Sequence, residues 1–282
     1  EITRAAIEAA KAAISARVPG IVGLHLEGPH LSIARKGAHD ATLIRPMGPG
    51  DLEQLLLAAD VLPVLKVTVA PENVTEEQVQ ALSGAGVLVS LGHSDADFET
   101  CQRYIAAGAR CVTHLFNAMS QIGNRAPGLA GAAIANGQVS AGLIADGIHV
   151  HPEVMRMAWH AKRAPGRLFL VSDAMAVAGT SETNFELNGR TILRKNGQLR
   201  LADGTLAGAD LDLTKAISVL VNKVGVGLAD ALCAATCIPA GLCGLSGAEM
   251  KVGVTRLSDM IRINSDLSGV QTLDPQPVST LV

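Results

Sequence analysis

The chain has 282 residues, of which 48% are apolar and 2% aromatic, with 23 Lys and Arg against 26 Asp and Glu. That length fits about two domains of ~150 residues or one α/β barrel of ~250, and the apolar content excludes a disordered chain. The near-balanced charge, without a basic cluster, excludes a nucleic-acid binder, and so few aromatic side chains exclude a stacking platform for single strands.

Residues 1–17 carry Ile2, Ala6, Ile7, Ala10 and Ile14 near helical spacing, and Pro19-Gly20 ends that helix. The stretch is Ala-rich with mixed charge, unlike a signal peptide. Short, almost continuously apolar runs follow at 21–26, 64–69, 87–91, 111–115, 141–145 and 168–171. Strands buried on both faces of a parallel sheet read this way. The segments 75–83, 97–107 and 152–163 between them are helical in pattern; Thr75 suits a helix cap and Pro152 a first helical position. Alternating β and α predicts an α/β fold. The uncharged stretches 128–145 and 231–248 are interrupted by Gly and polar residues, the second also by Pro239, so neither predicts a membrane span.

The last third changes character. Asn188-Gly189 and Asn196-Gly197, flanked by alternating runs over 184–202, predict hairpins with tight turns. Residues 209–224 and 228–238 return to a helical pattern. Beyond Met250 come short strands and a Pro-containing tail. The predicted division is a barrel domain over 1–250 and C-terminal strands over 251–282. Five Cys, an odd number and widely spaced, predict reduced thiols and a cytoplasmic protein. Cys233, Cys237 and Cys243 invite a metal reading, but their Ala/Leu-rich helical surroundings favour buried thiols in a core.

Each apolar run is followed by an ionisable or ligating side chain: Glu27, Glu72, His93, His114, Asp146 with His149, and Asp173. In a (β/α)8 barrel the strand C-termini converge on one rim, where the active site is built. Six strand runs are visible where a closed barrel needs eight, so the expected fold is a TIM-type barrel with the first two βα units missing. Glu27, His93 and His114 make a catalytic-metal set: three protein ligands with an open position. Such a site accepts a divalent ion, zinc first, with iron or manganese as alternatives, and leaves one or two ions per chain open. Asp173 suits a proton carrier for a metal-activated water, or a helix N-cap. Asn117 and Ala118, in a turn after a strand, with Arg125 nearby, suit a phosphate, or form an ordinary loop with a solvated Arg. His149 suits a carbonyl-polarising or hydroxyl-binding role. His39, behind Ala38 and a flexible Gly37, suits a polar ligand. His25 and His151 are read as supporting residues.

These residues resemble a known family, the N-acetylglucosamine-6-phosphate deacetylases of the amidohydrolase superfamily. The matching stretches are Gly23-Leu24-His25-Leu26-Glu27-Gly28-Pro29, Lys36-Gly37-Ala38-His39, Leu91-Gly92-His93-Ser94, residues 113–119, Asp146-Gly147-Ile148-His149, Ser172-Asp173-Ala174 and Gly204-Thr205-Leu206-Ala207-Gly208. The resemblance implies a metal-dependent barrel with a small β-sandwich, here reduced to a remnant. It implies Glu27, His93 and His114 as metal ligands and Asp173 as catalytic acid/base, with His149 stabilising the oxyanion. It also implies Ala38, His39, Asn117, Ala118, Arg125, Asp146, Gly147, Ile148, His149, Leu206, Ala207 and Gly208 as substrate contacts. The implied reaction is hydrolysis of the acetamide of N-acetylglucosamine 6-phosphate to glucosamine 6-phosphate and acetate, with a small phosphorylated sugar as partner and a homodimer as assembly. The alternatives are a hydrolase for a different N-acyl amino sugar, and a truncated barrel without catalysis.

Overall fold

All six apolar runs become parallel strands: β1 (Leu24–Glu27), β2 (Leu65–Val69), β3 (Leu88–Leu91), β4 (Cys111–Val112), β5 (Ser140–Leu143) and β6 (Leu168–Leu170). The computed structural model describes residues 1–245, 255–257 and 260–273. The strands pair in the order β1-β2-β3-β4-β5-β6, each beside its successor in sequence. Register runs Glu27 to Thr68, Thr68 to Ser90 and Ser90 to Cys111, then from β4 into β5 through Cys111 and Ser140. Every strand is therefore read in one direction, and all its C-terminal ends lie on one rim.

Helices separate the strands: α1 (Ile2–Ser15), α2 (Pro49–Val61), α3 (Glu76–Gly84), α4 (Phe98–Ala106), α5 (Gly128–Ala135) and α6 (Pro152–Ala161). Their starts follow local chemistry. Thr75 and Gln78 form a reciprocal capping box, the Asp97 carboxylate accepts from the Thr100 N–H, and Pro152 occupies the first turn of α6. The α2 helix is hard to see in the sequence because Leu55, Leu56 and Leu57 in succession blur its 3.6-residue period. The main core lies between β1–β5 and these helices; Val69, Val89, Leu91, Ile105 and Leu129 are fully buried there.

The Asn-Gly pairs do form tight turns. Asn188 and Gly189 have φ 50° and 70°, Asn196 and Gly197 53° and 71°, the two successive positive values that a type I′ turn requires. They join β7 (Asn184–Leu187) to β8 (Arg190–Lys195) and β8 to β9 (Gln198–Leu201); with β10 (Leu206–Ala209), which follows residues 202–205, these make an antiparallel sheet ordered β10-β9-β8-β7, with a small core of Ile192, Leu199 and Ala207.

Two helical expectations are corrected. The pattern over 209–224 gives way at its start to β10, and α7 (Leu213–Val219) begins only after Asp212, whose carboxylate caps it. A π turn follows until Gly225, φ 85°. The pattern over 228–238 is two helices, α8 (Leu228–Ala235) and α9 (Cys237–Leu242), broken at Thr236 (φ −131°, ψ −81°). Past them, β11 (Ile261–Ile263) pairs antiparallel with β12 (Val270–Thr272). The division expected at residues 250 and 251 lies outside the described residues. Among the described residues no helix is long and apolar enough to cross a membrane.

Candidate active site

The strand ends place the side chains that could ligate a metal. Glu27 closes β1, while His93 and His114 stand two residues beyond β3 and β4. His93, His114 and Asp173 all have positive φ, at 47°, 27° and 50°. That region is unfavourable for residues with a Cβ, by ~1–3 kcal/mol each, and such residues concentrate at functional sites.

The Glu27 Oε1 atom lies 2.7 Å from His93 Nε2 and 3.6 Å from His114 Nε2, and the two Nε2 atoms are 3.1 Å apart. All three donor atoms fall within 4.8 Å of one another. The tautomer of His93 follows from its far side. Its Nδ1 is 2.8 Å from the Arg35 carbonyl, which only accepts, so Nδ1 carries a proton and Nε2 is the nitrogen left to face Glu27 or, once deprotonated, an ion. A backbone carbonyl orienting a ligating imidazole in this way is the usual outer support of a metal ligand. Two imidazole nitrogens and a carboxylate oxygen facing one point fit a divalent cation, and a buried His114 Nδ1 without a partner fits a ring held for its other nitrogen. In the chain by itself the carboxylate and imidazoles stabilise one another. Burial would raise Glu27, yet bonds from His114, His39 and His93 hold it well below the usual carboxylate range. Burial would lower His114, yet the Glu27 carboxylate raises it.

Below this set runs a buried hydroxyl chain. His25 Nε2 is 2.7 Å from Thr68 Oγ1, which is 2.7 Å from Thr113 Oγ1, itself 2.6 Å from Ser90 Oγ. The chain ties β1, β2 and β3 to the residue preceding His114. His25 is thus a supporting residue, as expected, and the His151 side chain caps α6.

Asp173 is not a helix cap, since no helix starts at it. Its side chain lines the same cavity as Glu27, His93, His114 and His149. Burial pushes its carboxyl above the usual value, opposed by the nearby His114 imidazole. Its carbonyl accepts the Ala209 N–H at 2.8 Å, fastening β10 to the rim. A Cβ on Gly208 (φ +73°) would sit 2.5 Å from Met175 Cγ and 2.9 Å from the Asp173 carbonyl oxygen. Gly208→Ala should therefore displace Asp173 and lower turnover ~100-fold with the circular dichroism spectrum unchanged.

Asp146 is buried and does not line the cavity. Its Oδ2 lies 2.6 Å from His149 Nδ1, and its Oδ1 accepts the Ile148 and His149 N–H groups at 2.8 Å each. Burial would raise this carboxyl, but the imidazole and backbone donors outweigh it and hold it below 3.8. A depressed folded-state value means the stabilisation is present above the unfolded value and lost as pH falls through the folded one. Asp146→Asn should thus lower stability at neutral pH and flatten its decline below pH ~4, seen in thermal melts across pH.

The cavity, ≈ 860 Å³, has the size of a small-molecule site. Ala38, His39, Asn117, Ala118, His149, Leu206, Ala207 and Gly208 line it, with His39 Nε2 3.3 Å from Glu27 Oε1. Gly147 and Ile148 form the turn behind His149 rather than the wall. Arg125 is exposed and outside the lining. Glu72, one of the strand-end residues, faces away and accepts from Ser94 Oγ (2.8 Å) and the Asp95 N–H (2.6 Å), so it shapes the loop after His93.

The cations that line the cavity are Arg35 and Arg200, neither singled out in the sequence. Arg35 is paired with Asp95 at 2.7 Å. Arg200 donates to two neutral acceptors, Gln198 Oε1 at 2.6 Å and the Gly204 carbonyl at 2.5 Å. The hairpin pattern carries its signal: Arg200 is the cross-strand partner of Leu206, and antiparallel partners share a face.

No family model matches the chain. It is 42% identical over 240 residues to the N-acetylgalactosamine-6-phosphate deacetylase of Shewanella sp. (strain ANA-3), a match that covers 85% of this chain and 60% of that protein. The crystal structure of N-acetylglucosamine-6-phosphate deacetylase from Pasteurella multocida superposes with a TM-score of 0.86 at 31% identity, over 96% of this chain and 71% of that one. A mutant of N-acetyl-D-glucosamine-6-phosphate deacetylase from Mycobacterium smegmatis, in complex with N-acetyl-D-glucosamine-6-phosphate, superposes with a TM-score of 0.76 at 34% identity, over 85% and 64%. The chain spans about 60% of the length of the curated relatives it matches.

Proposed function

The chain belongs to the N-acetylglucosamine-6-phosphate deacetylase family, and we propose that it hydrolyses the acetamide of N-acetylglucosamine 6-phosphate to acetate and glucosamine 6-phosphate. The observation that carries this reading is the convergence of Glu27, His93 and His114 on one point, with Asp173 and His149 lining the same cavity. The six parallel strands are proposed as an arc of a (β/α)8 barrel, with β11 and β12 belonging to a remnant of the β-sandwich. A homodimer and a cytoplasmic location belong to the same proposal. All five cysteines being unpaired supports the location, and sedimentation of the intact chain tests the dimer.

Glu27, His93 and His114 would hold the divalent ion, proposed as zinc, with iron or manganese compatible with the donor set. When bound, the ion polarises the acetyl carbonyl and lowers the pKa of water toward ~7. Asp173 accepts a proton from the attacking water and returns it to the departing amine. Its raised carboxyl pKa suits a group that must carry that proton rather than stay permanently ionised. His149, fixed by Asp146, is placed to stabilise the developing oxyanion. The Asn117–Ala118 turn and Leu206–Gly208 flank the sugar, and the cations at the rim meet the phosphate.

The 42% identity to an N-acetylgalactosamine-6-phosphate deacetylase favours a second reading, the C4 epimer as substrate. Acetate release from both epimers, with and without the phosphate, tests the two. A metal-loaded chain that releases acetate from neither would show a barrel without catalysis. Arg200→Ala should raise KM for the phosphorylated sugar at least ~10-fold with kcat little changed. Arg125→Ala is its companion, and a comparable rise in KM there would support the anion role expected of that residue.

A further inference from the structure

Two thiols outside the catalytic rim touch each other. Cys233 lies in α8 and Cys237 begins α9, and their Sγ atoms are 3.6 Å apart, with the Cys233 S–H donating to the Cys237 sulfur. The Thr236 hydroxyl lies 3.6 Å from the same sulfur. The sequence pattern places both cysteines inside a core. Instead Cys237 is exposed and Cys233 half-buried, whereas Cys101 and Cys111 are fully buried. The backbone break at Thr236 separates the pair, so no continuous helical ladder fixes their spacing.

We propose that Cys233 and Cys237 form a modification site, closing to a reversible disulfide by exchange with a low-molecular-weight disulfide of the glutathione type. Cys237 is the attacking thiol. The Cys233 S–H donates to the Cys237 sulfur, which favours the Cys237 thiolate and holds Cys233 as the thiol, while the Thr236 hydroxyl gives its proton to the Leu232 carbonyl at 2.8 Å. The Cys237 thiolate attacks one sulfur of the small disulfide, forming a mixed disulfide and expelling one thiolate, which takes up a proton. Cys233 then loses its proton and attacks the Cys237 sulfur, closing the protein disulfide and expelling the second small thiol. Two protein thiols are oxidised and one small disulfide is reduced to two thiols, so atoms and electrons balance. Sulfurs already in contact need to move ~1.5 Å to reach a bond length of ~2.05 Å. The disulfide would fix the α8–α9 joint, which packs on β6 just below the strand end that carries Asp173.

The test oxidises the intact chain with glutathione disulfide, labels free thiols and maps the products by mass spectrometry. The expected result is loss of two of the five thiols, with no glutathione retained and the bond mapped to residues 233 and 237. Cys233→Ser should retain glutathione on Cys237, because the resolving thiol is gone. Cys237→Ser should react at least ~10-fold more slowly, and Cys243→Ser should behave as the parent. Retention of all five thiols, a stable glutathione adduct on the parent chain, or a bond mapped to Cys243 would each overturn the proposal.

Discussion

Asp173→Asn should lower kcat by ~10³–10⁴-fold while leaving bound metal near the parental level. Asn keeps the shape of the side chain and its place at the end of β6, but it cannot take a proton from water or deliver one to the amine. The Asp173 carbonyl still receives the Ala209 N–H, so β10 stays fastened. Turnover measured beside metal content separates proton transfer from ligation. Near-parental turnover would remove Asp173 from the mechanism, and loss of metal in the same variant would make it a ligand instead.

The second large effect is expected at the metal set. His114→Ala should reduce metal affinity by more than ~100-fold, the upper effect of losing a mere outer support, and abolish activity. His93→Ala should do the same. Thr113→Val, which only cuts the hydroxyl chain beneath His114, should cost less in both measures. Metal content by elemental analysis and acetate release on the same samples check the order. Chelation followed by readdition of zinc, iron or manganese then ranks the ions by recovered activity.

Much of this site is legible because parallel strands buried on both faces leave a simple trace: an apolar run, then one polar side chain where the strand meets the rim. Glu27, His93, His114 and Asp173 stand out that way. The same trace misleads at Glu72, which lies three residues beyond the end of β2 and binds the next loop through its carboxylate. Asn-Gly pairs mark the β7–β8 and β8–β9 hairpins because few other dipeptides adopt two positive φ values. Less is legible where tertiary packing overrides a local pattern. Residues 209–212 alternate too briefly to distinguish a strand end from a helix start; Ala209 ends β10 because it pairs with Gln198 of β9 and donates its N–H to the Asp173 carbonyl. The thiols of Cys233 and Cys237 sit in an apolar sequence, yet the turn at Thr236 carries them outward. Arg125 lies near the Asn117–Ala118 turn in sequence but not in the cavity, while Arg200, distant along the chain, is brought there by the register of β9 and β10.

Anomalous diffraction at the zinc edge, from crystals of the chain loaded with zinc, locates the ion independently of any assay. One strong peak is expected, bonded at ~2.0–2.2 Å to Glu27, His93 and His114 together, with the Asp173 carboxylate facing it across the cavity. A zinc-saturated crystal whose peak lies away from these three side chains would contradict that ligand set.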